Sequence, residues 1–338
     1  MPPTPARAAG ALVDAFGRVA TDLRVSVTDR CNLRCTYCMP AEGLDWLPKP
    51  ELLTFEELTR VIGIAVGLGI RSVRLTGGEP LLRRGLPELV AQVAALEPRP
   101  RIAMTTNGLG LDRLARPLKD AGLDRVNVSL DTIDRDAFAR LTRRDRLDDV
   151  VRGLEAAAAA GLEPVKVNAV AMRGVNDESV ADLLQWCLDR GYELRFIEQM
   201  PLDADHRWER STMVTQREIL ERLGERFTLT PTSVDTRGSA PAETWLVDGG
   251  PAVVGVIASV SQPFCGACDR MRLTADGQLR SCLFARSEHD LRTPLRSGAS
   301  DAELADQMVR LMAVKKAGHG IDDPSFLQPA RPMSAIGG

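Results

Sequence analysis

Three cysteines, Cys31, Cys35 and Cys38, stand at C-x3-C-x2-C spacing in the run Thr28 to Pro40, with no fourth cysteine nearby. Three thiolates so placed can grip one side of a metal centre and leave one coordination position open. A structural zinc site is closed by four ligands, usually two C-x2-C pairs or a cysteine and histidine mixture, and an iron–sulfur cluster normally takes four thiolates. The triplet therefore implies either a distant fourth ligand or a cluster whose unique iron is kept for a small molecule. Cys265, Cys268 and Cys282 repeat the shortfall at C-x2-C-x13-C. The seventh cysteine, Cys187, lies between Trp186 and Leu188 in an amphipathic run and reads as a buried apolar residue.

Other residues suited to chemistry cluster around these groups. Gly77-Gly78-Glu79-Pro80 permits close backbone approach and supplies a carboxylate to a cation. Asp276-Gly277 is a hairpin signal that would fold Cys282 back toward Cys268. Arg270 and Arg272, two apart on the first strand of that hairpin, project to one side and suit bidentate phosphate recognition. Lys166 and Asn168 likewise share a strand face, where an inward lysine needs a charged partner. There is no G-x4-G-K-[ST] and no strand-linked G-x-G-x-x-G, which removes the P-loop and dinucleotide-binding readings. His206, His289 and His319 lack ligand spacing and read as surface residues. The methionines other than Met200 read as packing. Arg143-Arg144-Asp145-Arg146, interrupted by acid, reads as a solvated face.

The elements that must position these residues alternate between strand and helix. Leu23, Val25 and Val27 alternate with polar partners and predict a strand that runs into the first cysteine loop. Further strands are predicted at Ser72 to Leu75, Ile102 to Thr105, Val126 to Leu130, Val165 to Val170 and Glu193 to Ile197, with helical periodicity between them. Thr54-Phe55-Glu56-Glu57 is a capping box, and Gly69 stands near the end of its helix. Six β/α units of this kind give a parallel sheet with right-handed crossovers, whose loops gather at the C-terminal edge. The cysteine loop, Thr76 to Pro80, Thr105 to Gly108, Ser129 with Asp131, and Met200-Pro201 would then share one mouth. Beyond about Leu223 the pattern changes to short strands and turns, including Thr244 to Val247 and Val253 to Ile257.

At 338 residues, 44% hydrophobic and 26% charged, with a formal net charge of −3, the chain has the composition of a soluble globular protein of two units. Its overall field gives no reason to expect nucleic acid, so an anionic ligand must be met by local arginines. Cysteines grouped in two triplets are expected to be metal ligands in a reducing, cytoplasmic setting. The Pro- and Ala-rich start has no apolar stretch suited to a signal or membrane span and reads as a disordered extension.

The first triplet, followed by Gly77 to Pro80, resembles the radical S-adenosylmethionine (SAM) superfamily. From about Leu12 to Gly338 the chain resembles, more narrowly, the GTP 3′,8-cyclase family that begins molybdenum cofactor biosynthesis. The motifs that carry this are Phe16-Gly17-Arg18, Leu23 through Asn32, Arg74 through Pro80, the second triplet with Arg270-Met271-Arg272, and the terminal Arg331-Pro332-Met333-Ser334 with Ile336-Gly337-Gly338.

That resemblance implies a partial (β/α)6 TIM-like barrel closed by a C-terminal segment. It divides the chain into an extension at 1–11, a barrel at 12–224 and a C-terminal region at 225–338. It implies two [4Fe-4S] clusters, one on each triplet and one at each end of the cavity. SAM would meet Tyr37, Gly78, Glu79, Ser129 and Met200. GTP would meet Arg24, Arg74, Thr105, Lys166, Arg270 and Arg272, with Arg270, Arg272, Gly337 and Gly338 acting at the reacting centre. Arg24 and Arg74 alone have an ordinary reading as strand-edge arginines.

The implied reaction uses a 5′-deoxyadenosyl radical to take hydrogen from ribose C3′ of GTP. The carbon radical then attacks guanine C8, giving 3′,8-cyclo-7,8-dihydro-GTP. It needs an external electron donor and passes its product to cyclic pyranopterin monophosphate synthase, and it is compatible with a homodimer. Two rivals are a peptide-modifying maturase, which should carry more C-terminal cysteines, and an electron-transfer protein, which would have no use for open irons.

Overall fold

Alternation decides which way each strand faces, and here it separates an apolar outer face from a polar inner one. The computed structural model describes residues 10–233 and 237–337. Six strands, β1 (Asp22–Ser26), β2 (Ser72–Thr76), β3 (Arg101–Thr106), β4 (Arg125–Ser129), β5 (Lys166–Ala171) and β6 (Glu193–Glu198), pair in parallel in sequence order. Their apolar positions, such as Leu23, Val25, Val73, Leu75, Ile102, Met104, Val126 and Val128, are buried against the covering helices. The intervening positions, Arg24, Arg74, Thr105, Asn127, Asn168 and Arg195, line an internal cavity instead. A barrel of this class normally fills its interior with branched apolar side chains. A polar lining of this kind calls for a polar ligand.

The covering helices are α1 (Phe55–Gly67), α2 (Leu86–Ala94), α3 (Leu111–Asp120), α4 (Arg135–Thr142), α5 (Leu147–Ala159), α6 (Val180–Leu188) and α7 (Gln216–Gly224). α1 begins at the expected capping box: Thr54 Oγ1 accepts from Glu57 N at 3.2 Å, and Glu57 returns an acceptor to Thr54 N at 2.7 Å. Such a cap contributes about 1 kcal/mol. Gly69, at φ +105°, supplies the left-handed residue that ends the helix. Cys187 is fully buried in the core, as its neighbours suggest.

The C-terminal region adds β7 (Leu229–Pro231), β8 (Glu243–Val247), β9 (Val253–Ile257), β10 (Arg270–Leu273), β11 (Gln278–Arg280) and β12 (His289–Asp290), then α8 (Arg292–Arg296), α9 (Asp301–Ala313) and α10 (Met333–Ile336). These strands do not form a sheet of their own. β9 pairs parallel to β6 and β10 parallel to β1, so the order is β12-β11-β10-β1-β2-β3-β4-β5-β6-β9-β8-β7. One segment therefore supplies a strand to each edge of the six-stranded core, and no break in the sheet falls at 224/225. Of the 1–11 extension, only Gly10 and Ala11 are among the described residues; Leu12, where the expected barrel begins, is fully buried. Among the described residues no helix is long and apolar enough to cross a membrane.

Candidate active site

Strand polarity sets the two cysteine groups at opposite ends. Cys31, Cys35 and Cys38 follow the C-terminal end of β1, whereas Cys265 and Cys268 precede β10, whose first residue Arg270 is in register with Asp22 at the start of β1. The expected hairpin is present: β11 pairs antiparallel to β10 with Arg272 opposite Arg280, a register that carries the chain back toward Arg270 and so brings Cys282 to the same end. A cavity of about 270 Å³ lies between, reached by Tyr37 on one side and by Cys265, Cys268 and Cys282 on the other.

The start of the first cysteine loop is held by backbone bonds to the turn after β2. Gly78 N donates to Thr28 O at 2.8 Å and Glu79 N to Arg30 O at 2.7 Å. A Cβ on Gly78 would lie 2.4 Å from the carbonyl oxygens of both Asp29 and Arg30, and one on Gly77 2.4 Å from Thr28 O. The paired glycines thus let one main chain press on another and fix where the cysteine loop leaves the sheet. Both obstructing groups are backbone, so Gly78→Ala is expected to destabilise the fold by about 1–3 kcal/mol. Urea unfolding of the two proteins measures this, and equal midpoints would deny the packing role.

Glu79 ties together the loops at this end of the sheet. Its carboxylate is fully buried and accepts from Leu81 N at 2.9 Å, Thr106 Oγ1 at 2.7 Å and Asn107 N at 2.6 Å. It braces the loop after β2 against the loop after β3 and does not open onto the cavity. Burial pushes its pKa up to about 7 despite those donors. Asn107 extends the brace, donating to Asn32 Oδ1 at 2.7 Å and lying 3.8 Å from Cys31 Sγ.

Tyr37 donates to Asp131 Oδ2 at 2.9 Å, and Val170 N donates to the other carboxylate oxygen at 2.8 Å. Burial raises the thiol pKa values of Cys31 and Cys35, and takes Cys38 up to about 12. A metal bound by the three sulfurs would displace these protons to solvent. Among the described residues no three His, Cys, Asp or Glu side chains are arranged around a single metal ion. A cubane, with each thiolate on a separate iron, asks for a wider triangle.

The cavity wall is cationic although the chain as a whole is not. Arg24, Arg74 and Arg272 share one level of the sheet through the registers Arg24 with Arg272 and Arg24 with Arg74. Arg195 and Arg270 also line the space. The carboxylates beside them are Asp22, 3.7 Å from Arg24 Nε, Glu193, 3.8 Å from Arg195 Nη2, and Asp269, 3.9 Å from Arg270 Nη2. Burial, and then repulsion from Arg24, holds the pKa values of Arg74 and Arg272 well below the usual arginine range. Arg24 Nε, Arg74 Nε, Asn127 Nδ2 and Asn168 Oδ1 are buried without hydrogen-bond partners. The three donors among these, next to crowded guanidiniums, are what a polyanion would satisfy, and the Asn168 oxygen is left to accept from a ligand N–H or O–H. Arg24 and Arg74 are therefore interior residues and not strand-edge ones.

At the other end, Arg270 Nη2 donates to Ser239 O, its guanidinium lies 4.8 Å from the Phe264 ring centroid, and Nη1 is 3.8 Å from Cys268 Sγ. Arg18, from the Phe16-Gly17-Arg18 motif, donates to Cys265 O at 2.6 Å and Ala317 O at 2.8 Å. His319 is not a surface residue: it lines the cavity, lies 3.0 Å from Ser259 O through Nε2, and packs 5.1 Å from the Phe284 ring. The C-terminal tail enters from the side. Arg272 Nη1 donates to Gly337 O, and a Cβ on Gly337 would lie 2.5 Å from Thr76 Oγ1. Gly338 lies outside the described residues.

Of the expected residues, Arg24, Tyr37, Arg74, Thr105, Ser129, Met200, Arg270 and Arg272 meet around one cavity with the second triplet. Lys166 stands apart: at the start of β5 it pairs with Glu193, the charged partner its burial demands. Arg195 and Asn127 went unnoticed, although simple alternation from Asn168 and Ser129 points both inward. Arg143 is not part of a solvated face, since Nη1 donates to Arg34 O and Met39 O, each at 2.9 Å, and so clasps the first cysteine loop.

The residues 25–187 match the model of the Radical SAM superfamily, and 192–321 that of Molybdenum Cofactor Synthesis C. The chain is 66% identical over 328 residues to the GTP 3′,8-cyclase of Streptomyces coelicolor, covering 97% of this chain and 96% of that one. It is 63% identical to the GTP 3′,8-cyclase of Mycolicibacterium smegmatis over 342 residues, covering 99% and 94%. To that of Corynebacterium glutamicum it is 58% identical over 337 residues, covering 97% and 89%. Among solved structures, Streptococcus suis SuiB bound to S-adenosylmethionine superposes with a TM-score of 0.57 at 14% identity, over 81% of this chain and 64% of that one, which is a likeness of fold.

Proposed function

The chain belongs to the GTP 3′,8-cyclase family of the radical SAM superfamily, and from that membership we propose how this cavity converts GTP into 3′,8-cyclo-7,8-dihydro-GTP, the first step of molybdenum cofactor biosynthesis. The observation that carries the reading is the crowd of arginines between two three-cysteine groups, with Arg24 Nε and Arg74 Nε buried without hydrogen-bond partners. Cys31, Cys35 and Cys38 would hold a [4Fe-4S] cluster with one iron open to SAM, and Cys265, Cys268 and Cys282 a second with one iron open to the guanine base. Bound there, cluster and SAM supply the one-electron chemistry of hydrogen removal at ribose C3′ and closure onto guanine C8, chemistry that belongs to the cofactor.

The chain's own part is placement. Tyr37, Ser129 and Met200 stand where SAM would lie against the first loop, and Gly78 sets that loop's position. Glu79 acts through the loop it braces, its carboxylate being spent on three internal donors. Arg24, Arg74, Arg270 and Arg272, with Thr105, would bind and orient the triphosphate. Lys166 would join them by exchanging Glu193 for a phosphate oxygen. Gly337 is already inside the barrel on Arg272, and Gly338 would extend the tail toward the reacting ribose.

An external one-electron donor completes the cycle, and the product passes to cyclic pyranopterin monophosphate synthase. None of the seven cysteines is paired in a disulfide, which supports a reducing, cytoplasmic setting. The test is anaerobic incubation of the reconstituted protein with reductant, SAM and GTP. Stoichiometric 5′-deoxyadenosine and 3′,8-cyclised nucleotide are expected. Deoxyadenosine without cyclised nucleotide, at saturating GTP, would sink the substrate assignment.

A further inference from the structure

Lys315 leaves the end of α9 and turns inward, 4% exposed. Its ammonium has three protons and three partners: Cys268 O at 3.1 Å, Arg270 O at 2.8 Å and Cys268 Sγ at 3.5 Å. Among the described residues it forms no ion pair with a carboxylate, although a buried cation is costly unless an anion is near. The anion available is the sulfur of Cys268. Arg270 Nη1 lies 3.8 Å from the same sulfur, so two cations converge on one thiolate.

The first triplet is built with the opposite sign. Asn107 Nδ2, a neutral amide, lies 3.8 Å from Cys31 Sγ, and the buried carboxylates of Glu79 and Asp131 stand behind the loop, with the Arg34 guanidinium turned to the carbonyls of Cys31 and Leu33. At Cys268, by contrast, the groups against the sulfur are both cations, Lys315 Nζ at 3.5 Å and Arg270 Nη1 at 3.8 Å. Net charge and hydrogen bonds to sulfur are among the terms that set an iron–sulfur potential.

We propose that Lys315 is the built-in counter-cation of the second cluster, a positioning residue that fixes Cys268 and holds that cluster at a more positive reduction potential than the first. The proposal rests on the reading of Cys265, Cys268 and Cys282 as a cluster site. Its backbone contacts matter as much as its charge, because the two carbonyls it bridges flank the turn from the cysteine segment into β10. Arg18 restrains the same segment through Cys265 O, while also gripping Lys316 O and Ala317 O beside Lys315.

The test is an EPR-monitored redox titration of the reconstituted holoenzyme, without GTP, for wild type, Lys315→Met and Lys315→Arg, with iron and sulfide counted in each. Lys315→Met is expected to shift the second midpoint to a more negative potential and leave the first unmoved, whereas Lys315→Arg stays near wild type. Loss of the second cluster in Lys315→Met but not in Lys315→Arg would equally support a required charge. An unshifted second midpoint in Lys315→Met overturns the proposal. So does an equal fall, or an equal loss of cluster, in both variants, since that would be a matter of lysine's shape. Iron and sulfide for only one cluster in the wild type would instead refute the cluster reading itself, and this inference with it.

Discussion

Alanine at Cys35 is expected to abolish reductive cleavage of SAM while leaving the chain folded. The loop at this point is held by main chain: Cys38 N and Met39 N both donate to Cys35 O at 3.0 Å, Arg34 N to Thr142 O at 3.0 Å and Thr36 N to Leu141 O at 2.9 Å. None of these bonds needs the thiol. What the substitution removes is one of three thiolates of a site that already lacks a fourth, so the first cluster should not be retained. Iron in the reconstituted protein should fall from about eight to about four atoms per chain, and 5′-deoxyadenosine should become undetectable with or without GTP. Folded Cys35→Ala protein that still makes deoxyadenosine would show that the first triplet is not the SAM centre.

Cys282→Ala should instead separate two reactions that the intact protein couples. Cys282 follows β11 and closes the cavity at the end remote from Tyr37, so the first three cysteines, Tyr37 and Ser129 keep their places without it. The expected result is slow formation of 5′-deoxyadenosine with no 3′,8-cyclised nucleotide, a loss of product that amounts to several orders of magnitude. Both nucleosides are to be quantified in one incubation, after iron content and unfolding midpoint have been checked. Normal amounts of cyclised product would remove the second triplet from the substrate site and leave the arginines without their guanine anchor.

How much of this was legible in the chain itself depended on whether a residue's partner was near in sequence or obeyed a period. Six strands, the capping box at Thr54, the Asp276-Gly277 hairpin and the burial of Cys187 are local or periodic signals, and each reappears in the structure. The bonds of the Glu79 carboxylate to Thr106 and Asn107 have no signal in the sequence, because those residues are brought over by the parallel pairing of β2 and β3. Arg143 looked solvated in a run of charges, and only the approach of α4 to the first cysteine loop gives its guanidinium two carbonyls. Lys315 has no role readable in the sequence, since its partners lie 45 and 47 residues earlier, with β11, β12, α8 and α9 between. His319 was missed for the same reason, its contact with Ser259 being 60 residues distant. Local pattern located the scaffold and most of the cavity wall, whereas the braces behind that wall are products of the fold.

The strand order also has a consequence for how the chain is born. Thr21 and Asp269, which meet where β1 and β10 begin, are 248 residues apart. During synthesis from the N-terminus, the outer edge of β1 therefore emerges early and stays without its neighbour until nearly the whole protein has been made. β6 waits a shorter time for β9. Pairings of such long range are slow to form, and unpaired strand edges invite association with other chains. A nascent or truncated polypeptide ending near Gly224 would present two bare edges at once, so this protein should depend on chaperone protection during translation and should not yield a soluble N-terminal fragment.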